Sequence, residues 1–166
     1  MDFASAPEAR NLLQALRDAV RRPDPKRIDA LEAAIRVFRA ALGDTPPRCA
    51  GCPVCGGIPD SGYSLGTAAN PDSLHEGCYR VIPATFLSAD RCYEELRCPS
   101  CGMGYVYERD YEYLAGGSED EETFTRLHIP FLLRTIEARL PWVRKYHSAS
   151  DLDDDLRHLE SAFRMA

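Results

Sequence analysis

The sequence has no long hydrophobic run. Its apolar stretches extend over only a few residues, which is too short to cross a bilayer. The first residues also lack a basic segment followed by a hydrophobic one, so no secretory signal is predicted. Together these absences predict a cytoplasmic protein without a membrane partner.

Positive charge is also scarce. The chain has 26 acidic and 20 basic residues, giving a net charge of −6. This balance disfavours a sequence-independent nucleic-acid binder, which needs a basic surface to displace counterions. One local basic face on the N-terminal helices keeps a nucleic-acid-associated zinc-ribbon regulator as an alternative. Its residues are Arg21, Arg22, Lys26, Arg27 and Arg36.

Catalytic motifs are missing as well. None of the four histidines belongs to an H-E-x-x-H motif, and there is no Walker loop, G-x-S-x-G or G-x-G-x-x-G. His128, His147 and His158 are isolated along the chain, which favours surface or helix positions over a general base. The sequence therefore predicts a protein that is not an enzyme, with no catalytic residues.

Cysteine, in contrast, is plentiful. The chain has 166 residues, 45% of them hydrophobic and 28% charged, which is typical of one globular domain with a core of its own. Its seven cysteines are therefore not needed to replace a core. Because cytoplasmic thiols stay reduced and seven is an odd number, metal ligation is favoured over disulfides.

Four of the cysteines form two matching motifs. Cys52–Gly56 and Cys98–Gly102, called here the first and second knuckles, both read C-P-x-C-G. Two intervening residues let one tight turn direct both thiolates at one ion, and the following glycine can adopt a positive φ. Two knuckles supply the four thiolates that zinc prefers. The predicted Zn²⁺ ligands are Cys52, Cys55, Cys98 and Cys101.

The paired knuckles resemble the zinc-ribbon superfamily, over roughly residues 49–114. The resemblance implies a β-hairpin that carries the second knuckle, and a structural rather than catalytic metal. About forty residues separate the knuckles, where about 15–20 are usual, so a long insertion is implied. A structural zinc ion can supply on the order of 10–16 kcal/mol of folding free energy.

The remaining potential ligands allow a second metal site. Cys49, His75, Cys78 and Cys92 could form a Cys3His zinc site, and His75 and Cys78 have H-x-x-C spacing. In the other interpretations they are ordinary structural residues, or include a reactive thiol. One zinc ion is expected, with two as the alternative.

An iron–sulfur or thiol redox protein is the third functional alternative. The run of Cys49, Cys52 and Cys55, with Cys98 before a proline, is similar to a ferredoxin ligand pattern. That pattern leaves Cys101 unexplained and ignores the repeated knuckle.

The predicted fold class is α+β: a zinc ribbon β-hairpin with a long insertion, flanked by helices on both sides. Three blocks are expected. Residues 1–45 form an N-terminal helical hairpin, residues 46–114 the zinc-ribbon block, and residues 115–166 C-terminal helices that pack on the same core.

The N-terminal hairpin shows two apolar stripes at helical spacing. Asp24 is expected to cap the second helix, and Gly43 to end it. The hairpin either packs within its own chain or forms a homodimer through these helices. The stripes are Leu12, Leu13, Leu16 and Val20, then Ile28, Leu31, Ile35, Phe38 and Leu42.

Strands are expected at residues 91–97 and 104–113. Ser118 is predicted to cap a short helix with acids in its first turn, and a longer helix from Pro130 is predicted to break at Pro141. A last helix carries an apolar stripe of Leu152, Leu156, Leu159 and Phe163.

Residues 108–122 are strongly acidic, with seven acids and one base, Arg109. In one interpretation this is a solvated strand followed by a capped helix. In the other it is an acidic, tyrosine-rich surface for a protein partner, possibly a basic one. The protein would then be an adaptor or an inhibitor, for example an immunity protein that neutralises a basic toxin. The predicted partner-binding residues are Tyr105, Tyr107, Glu108, Asp110, Tyr111, Glu112 and Tyr113.

Overall fold

A computed structural model describes residues 6–43, 51–66, 84–86, 92–114 and 117–166. These residues form four helices and five strands, so the fold is α+β. The chain divides into two compact units, a helical unit of Met1–Thr45 with Ile129–Ala166 and a sheet unit of Pro46–His128. Within the described ranges, no helix is both long and apolar enough to span a membrane.

The helical unit contains four helices: α1 (Pro7–Arg21), α2 (Pro25–Leu42), α3 (Ile129–Tyr146) and α4 (Ser150–Met165). Both α1 and α3 pack against α2 and α4. The apolar stripes meet in the middle, where the rings of Phe38 and Phe163 are 5.5 Å apart. The buried side chains include Leu12, Leu16, Ile28, Leu31, Ile35, Leu133, Ile136, Leu140 and Leu159.

The N-terminal hairpin follows its sequence signals. Asp24 accepts a hydrogen bond from the backbone N–H of Arg27 at 3.0 Å, which caps α2. Gly43 ends the same helix with a φ of 64°. Most of the hairpin's apolar stripe is buried within this chain, and Leu13, Val20 and Leu42 are half-buried. A homodimer through these helices stays a prediction.

The predicted break at Pro141 is wrong. Helix α3 continues through Pro141 to Tyr146. Proline removes one backbone hydrogen bond, but Leu140 and Val143 on either side of it are buried. The burial of this apolar face outweighs the missing bond.

The sheet unit is one antiparallel sheet of five described strands in the order β1-β5-β4-β3-β2. The predicted hairpin is present, with the second knuckle between β3 and β4. The strands are β1 (Ser61–Gly66), β2 (Ala84–Phe86), β3 (Cys92–Arg97), β4 (Gly104–Leu114) and β5 (Gly117–Arg126).

The helix predicted from Ser118 is also wrong, because that segment is strand β5. It pairs with both β4 and β1. Its alternate residues Glu122, Phe124 and Arg126 are all buried, which is the period of a strand. The acids suggested a helix N-terminus, but pairing with two neighbouring strands determines the local structure.

A buried acid lies between α3 and α4. The side chain of Asp155 is 4% exposed, and a carboxylate oxygen lies 3.1 Å from Nε of Arg139. Burial raises the pKa of Asp155 to about 6, although the charges of Arg139 and His158 oppose this change. The folded protein therefore holds the Asp155 proton more tightly than the unfolded chain does.

Replacing Asp155→Asn should remove one pH-dependent part of the stability. Because the folded-state pKa is raised from 3.8 to about 6, protonated Asp155 stabilises the folded state. This stabilisation is complete below about pH 4 and is lost as the pH rises through 6. We expect the free energy of unfolding of the variant to equal that of the wild type near pH 4 and to be higher by up to about 3 kcal/mol near pH 8.

Urea unfolding followed by the fluorescence of Trp142, the single tryptophan, measures this difference. Asp153→Asn, at an exposed position on the same helix, is the control and should not be more stable than the wild type near pH 8. An Asp155 variant that is less stable than the wild type at every pH would contradict the assignment.

Candidate metal centre

The structure brings the four knuckle cysteines together. Their sulfur atoms all lie within 4.8 Å of one another. The Sγ atoms of Cys52 and Cys98 are 3.8 Å apart, and those of Cys55 and Cys101 are 3.4 Å apart. A tetrahedral ion with Zn–S bonds of about 2.3 Å requires sulfur separations of about 3.8 Å. The four thiolates can therefore hold a single metal ion.

Both knuckles are closed by the same backbone hydrogen bond. The Gly56 N–H donates to the Cys52 carbonyl oxygen at 2.8 Å, and the Gly102 N–H donates to that of Cys98 at 2.9 Å. In the second knuckle the Cys98 N–H also donates to Met103 O at 2.8 Å, which closes the β3–β4 hairpin. The repeated sequence thus produces the same closing hydrogen bond in both knuckles, and each turn directs its two sulfurs to one point.

The two knuckle glycines are needed for different reasons. Gly102 has the predicted positive φ, at +74°. The same prediction is wrong for Gly56, where φ is not in the positive range. A Cβ at Gly56 would lie 2.5 Å from the carbonyl oxygen of Cys52. The first knuckle therefore requires glycine because the backbone passes too close for any side chain.

The environments of the four thiols differ. The backbone N–H groups of Cys55 and Val54 and the hydroxyl of Ser100 donate to the Cys52 sulfur, and they lower the pKa of Cys52 to about 6. Burial raises the pKa of Cys55 and, to a smaller extent, that of Cys101. A bound cation would favour the thiolate form of all four, so metal binding should release protons.

The centre is part of the sheet's hydrophobic core. Cys55 and Cys98 are buried, and Cys52 and Cys101 are half-buried beside them. Tyr105 stacks on Phe124 in this cluster, with ring centroids 5.0 Å apart. The core cluster also contains Leu96, Met103 and Tyr107, with Ile58 packed against it. Metal ligands and core residues are thus in direct contact.

The second metal site stays a prediction. Cys49, His75 and Cys78 lie outside the described residues, and so does the side chain of Cys92 in β3. Cys101, which the ferredoxin-like pattern leaves out, joins the sulfur cluster. The described geometry therefore agrees with the paired-knuckle pattern.

Two predicted partner-binding residues are wrong. Tyr105 and Tyr107 have 0% exposed surface, so neither can present itself to a partner. They lie on the same sheet face as Phe124, which pairs with Tyr107 across β4 and β5 and belongs to the same core cluster. Burial and the neighbouring carboxylate of Glu122 raise the pKa of the Tyr107 hydroxyl well above its usual value. The alternation of tyrosines correctly predicted that Tyr105 and Tyr107 share one face of a strand, but that face lies in the hydrophobic core.

Of the other predicted partner-binding residues, the structure describes the side chain of Glu108 alone. Glu108 is half-buried on the opposite face of β4. The side chains of Asp110, Tyr111, Glu112 and Tyr113 lie outside the described part of the structure. Their role in binding stays a prediction.

Two residues near the centre were missed by sequence reasoning. Ser100, inside the second knuckle, donates to the Cys52 sulfur of the first. Arg126 donates to the carbonyl oxygen of Cys55 at 3.3 Å, across 71 positions of sequence. A hydroxyl in a ligand turn could have indicated the first contact. No local pattern indicates the second, because it depends on the pairing of β5.

Comparison with known proteins yields no match to a protein-family model, a curated protein or a solved structure. The likeness to zinc ribbons therefore depends on the four cysteines and the hairpin between β3 and β4. These features indicate a metal-binding site of zinc-ribbon type.

Gly56→Ala tests the geometry of the first knuckle. The added Cβ would meet a backbone oxygen at 2.5 Å, so the turn must open and move Cys52 relative to Cys55. We expect zinc affinity to fall by about tenfold or more, as for other changes that displace metal ligands. Competition with a chromophoric chelator measures the affinity.

Gly57→Ala is the matched control, because a Cβ at Gly57 meets nothing within 4 Å. Its zinc affinity should stay within about threefold of the wild type. Equal losses in the two variants would contradict a specific close approach at Gly56.

Proposed function

We propose that this is a non-enzymatic zinc-binding protein in which one structural Zn²⁺ ion orders the sheet unit. The observation that carries the proposal is the cluster of four cysteine sulfurs within 4.8 Å. Four soft thiolates in a tetrahedral arrangement favour zinc over the oxygen-preferring cations. Iron in the same four-thiolate site is the competing occupant.

The closed ligand set supports a structural rather than catalytic metal. A catalytic zinc ion keeps one position open for water or substrate, whereas four thiolates fill a tetrahedral site. Cys55 and Cys98 are also buried at 0% and 1% exposure, which keeps solvent from that side of the ion. The energy supplied by zinc, on the order of 10 kcal/mol, is comparable with the whole stability of a typical domain.

Elemental analysis of protein purified without added metal tests this role. One zinc ion per chain is expected, and Cys98→Ser should lose it, because three thiolates hold zinc less well. The sheet amides should then lose their protection from hydrogen exchange, since Cys98 joins the metal to the β3–β4 hairpin.

Cys92→Ser, also in β3, is the control and should retain the knuckle zinc. Iron in place of zinc would refute the metal assignment. A Cys98 variant with normal zinc content would refute the ligand assignment. A second zinc ion that is lost with Cys92→Ser would add the Cys3His site to the protein.

We further propose that the sheet face opposite Tyr105 binds a basic protein partner. The register supports this, because directly paired residues point to the same face. On that face Glu95 pairs with Val106, Glu108 pairs with Thr123, and Glu121 lies two positions before Thr123 in β5. Glu95 and Glu108 are half-buried and Glu121 is exposed, so the face combines acids with partly accessible surface. An adaptor or an inhibitor of a basic protein would use such a face.

The basic face on the helices gives less support to nucleic-acid binding. Asp24 pairs with Arg27 and lies 3.6 Å from Nε of Arg22. One carboxylate thus faces two of the five basic residues that suggested this function. Phosphate binding would have to overcome this local neutralisation as well as the net charge of −6.

Reversing Glu108, Asp110 and Glu112 to lysine should weaken binding to a basic partner. These residues share one strand face by their spacing of two. We expect at least a tenfold loss of affinity for the purified partner, most of it in the association rate at low salt. Zinc content should not change.

A control variant with Glu8, Asp18 and Asp153 reversed to lysine carries the same charge change on the helical unit. It should bind the partner as the wild type does. Equal binding by the β4 variant and the wild type would contradict the acidic-face proposal. Tight binding of duplex DNA by the wild type would favour the nucleic-acid alternative instead.

A further inference from the structure

Among the described arginines of the sheet unit, Arg126 stands apart because it is buried. It is the last residue of β5, and its side chain is only 10% exposed. A buried guanidinium needs hydrogen-bond acceptors or an opposite charge, since transfer of an isolated cation from water is very unfavourable. The acceptors of Arg126 all belong to the segment that begins at the second cysteine of the first knuckle.

Three groups of that segment face the side chain of Arg126 as acceptors, and a fourth accepts from its backbone. Its Nη2 donates to the carbonyl oxygens of Cys55, at 3.3 Å, and of Ile58. Its Nη1 lies 3.2 Å from the carboxylate of Asp60. The backbone N–H of Arg126 also donates to the Asp60 carbonyl oxygen at 2.8 Å. One residue of β5 thus fixes the chain from Cys55 to Asp60.

The opposite side of the guanidinium is also occupied. Its central carbon lies 5.6 Å from the ring centroid of Tyr105, within the range of a cation–π contact. Tyr105 belongs to the core cluster that contains the knuckle cysteines. Arg126 is therefore held between the sheet core and the backbone of the first knuckle.

The two knuckles differ in how they are anchored. The second knuckle connects two paired strands, so the β3–β4 hairpin positions Cys98 and Cys101. The first knuckle continues into the edge strand β1, and residues 44–50 before it lie outside the described part of the chain. The planar fork of Arg126 supplies a connection between this knuckle and the sheet.

We propose that Arg126 is a positioning residue of the metal centre: it holds the first knuckle in the orientation in which Cys52 and Cys55 can bind the ion held by Cys98 and Cys101. This inference rests on the proposed zinc-binding function.

The test compares Arg126→Met and Arg126→Lys with the wild type in full-length protein. Zinc affinity is measured by chelator competition, and Co²⁺ substitution reports ligand geometry through its thiolate charge-transfer and d–d bands. Arg126→Met should lower zinc affinity by about 10–100-fold, the usual effect of losing a group that orients ligands. Its cobalt spectrum should show weaker thiolate charge transfer.

Arg126→Lys should have a zinc affinity between those of the wild type and Arg126→Met, because it keeps the charge but has a single nitrogen in place of the two that contact the Cys55 and Ile58 carbonyls and the Asp60 carboxylate. Arg97→Met is the control, since Arg97 is an exposed arginine directly before the ligand Cys98. It should bind zinc within about threefold of the wild type. If Arg126→Met does not fold, the test uses Arg126→Lys and Asp60→Asn instead. Asp60→Asn removes the carboxylate but leaves the carbonyl acceptors of Arg126 in place.

Two outcomes would overturn the proposal and are distinguishable. If the wild type binds neither zinc nor cobalt, the proposed function fails and the role of Arg126 fails with it. If the wild type binds both, but the Arg126 variants have its affinity and its cobalt spectrum, only the positioning role fails. A lower melting temperature with unchanged metal affinity belongs to this second outcome, because it would make Arg126 a packing residue alone.

Discussion

Convergence of four sulfur atoms in an apolar environment is the constraint on which the sheet unit depends. Cys52 and Cys98 are 46 positions apart, and Cys55 and Cys98 are buried with Leu96, Tyr105 and Phe124. Burying four thiolates together without a cation would be strongly unfavourable, since like charges at these distances repel one another in a medium of low dielectric constant. A bound ion and the core would therefore support each other: the ion would compensate the charge, and the packed sheet holds the four cysteines in place.

The parts of the structure that could be predicted from the sequence are those determined locally. The knuckles were predictable because C-P-x-C-G specifies one tight turn, and the four ligands were found together as expected. The helical unit was predictable from apolar spacing and from signals such as Asp24 and Gly43. In these cases, residues within a few positions of each other determine the result.

The parts that could not be predicted depend on partners distant in sequence. The acids of β5 suit a helix N-terminus, and only pairing with β4 and β1 makes the segment a strand. Pro141 stays helical because its neighbours are buried. Alternation placed Tyr105 and Glu108 on opposite faces of β4, but tyrosine is amphipathic and suits either an interior or a surface. Which face is covered depends on the rest of the chain, including Phe124 and the knuckles.

The different anchoring of the two knuckles implies an order of assembly. The second knuckle lies in a hairpin whose closing bond joins Cys98 to Met103, so it can form by short-range contacts. Bringing in the first knuckle closes a loop of 46 residues, with an entropic cost of about 3 kcal/mol or more. Metal capture should therefore begin at Cys98 and Cys101 and be completed by loop closure. Because doubling such a loop adds only about 0.6 kcal/mol, the segment between the knuckles can be long without greatly weakening the site.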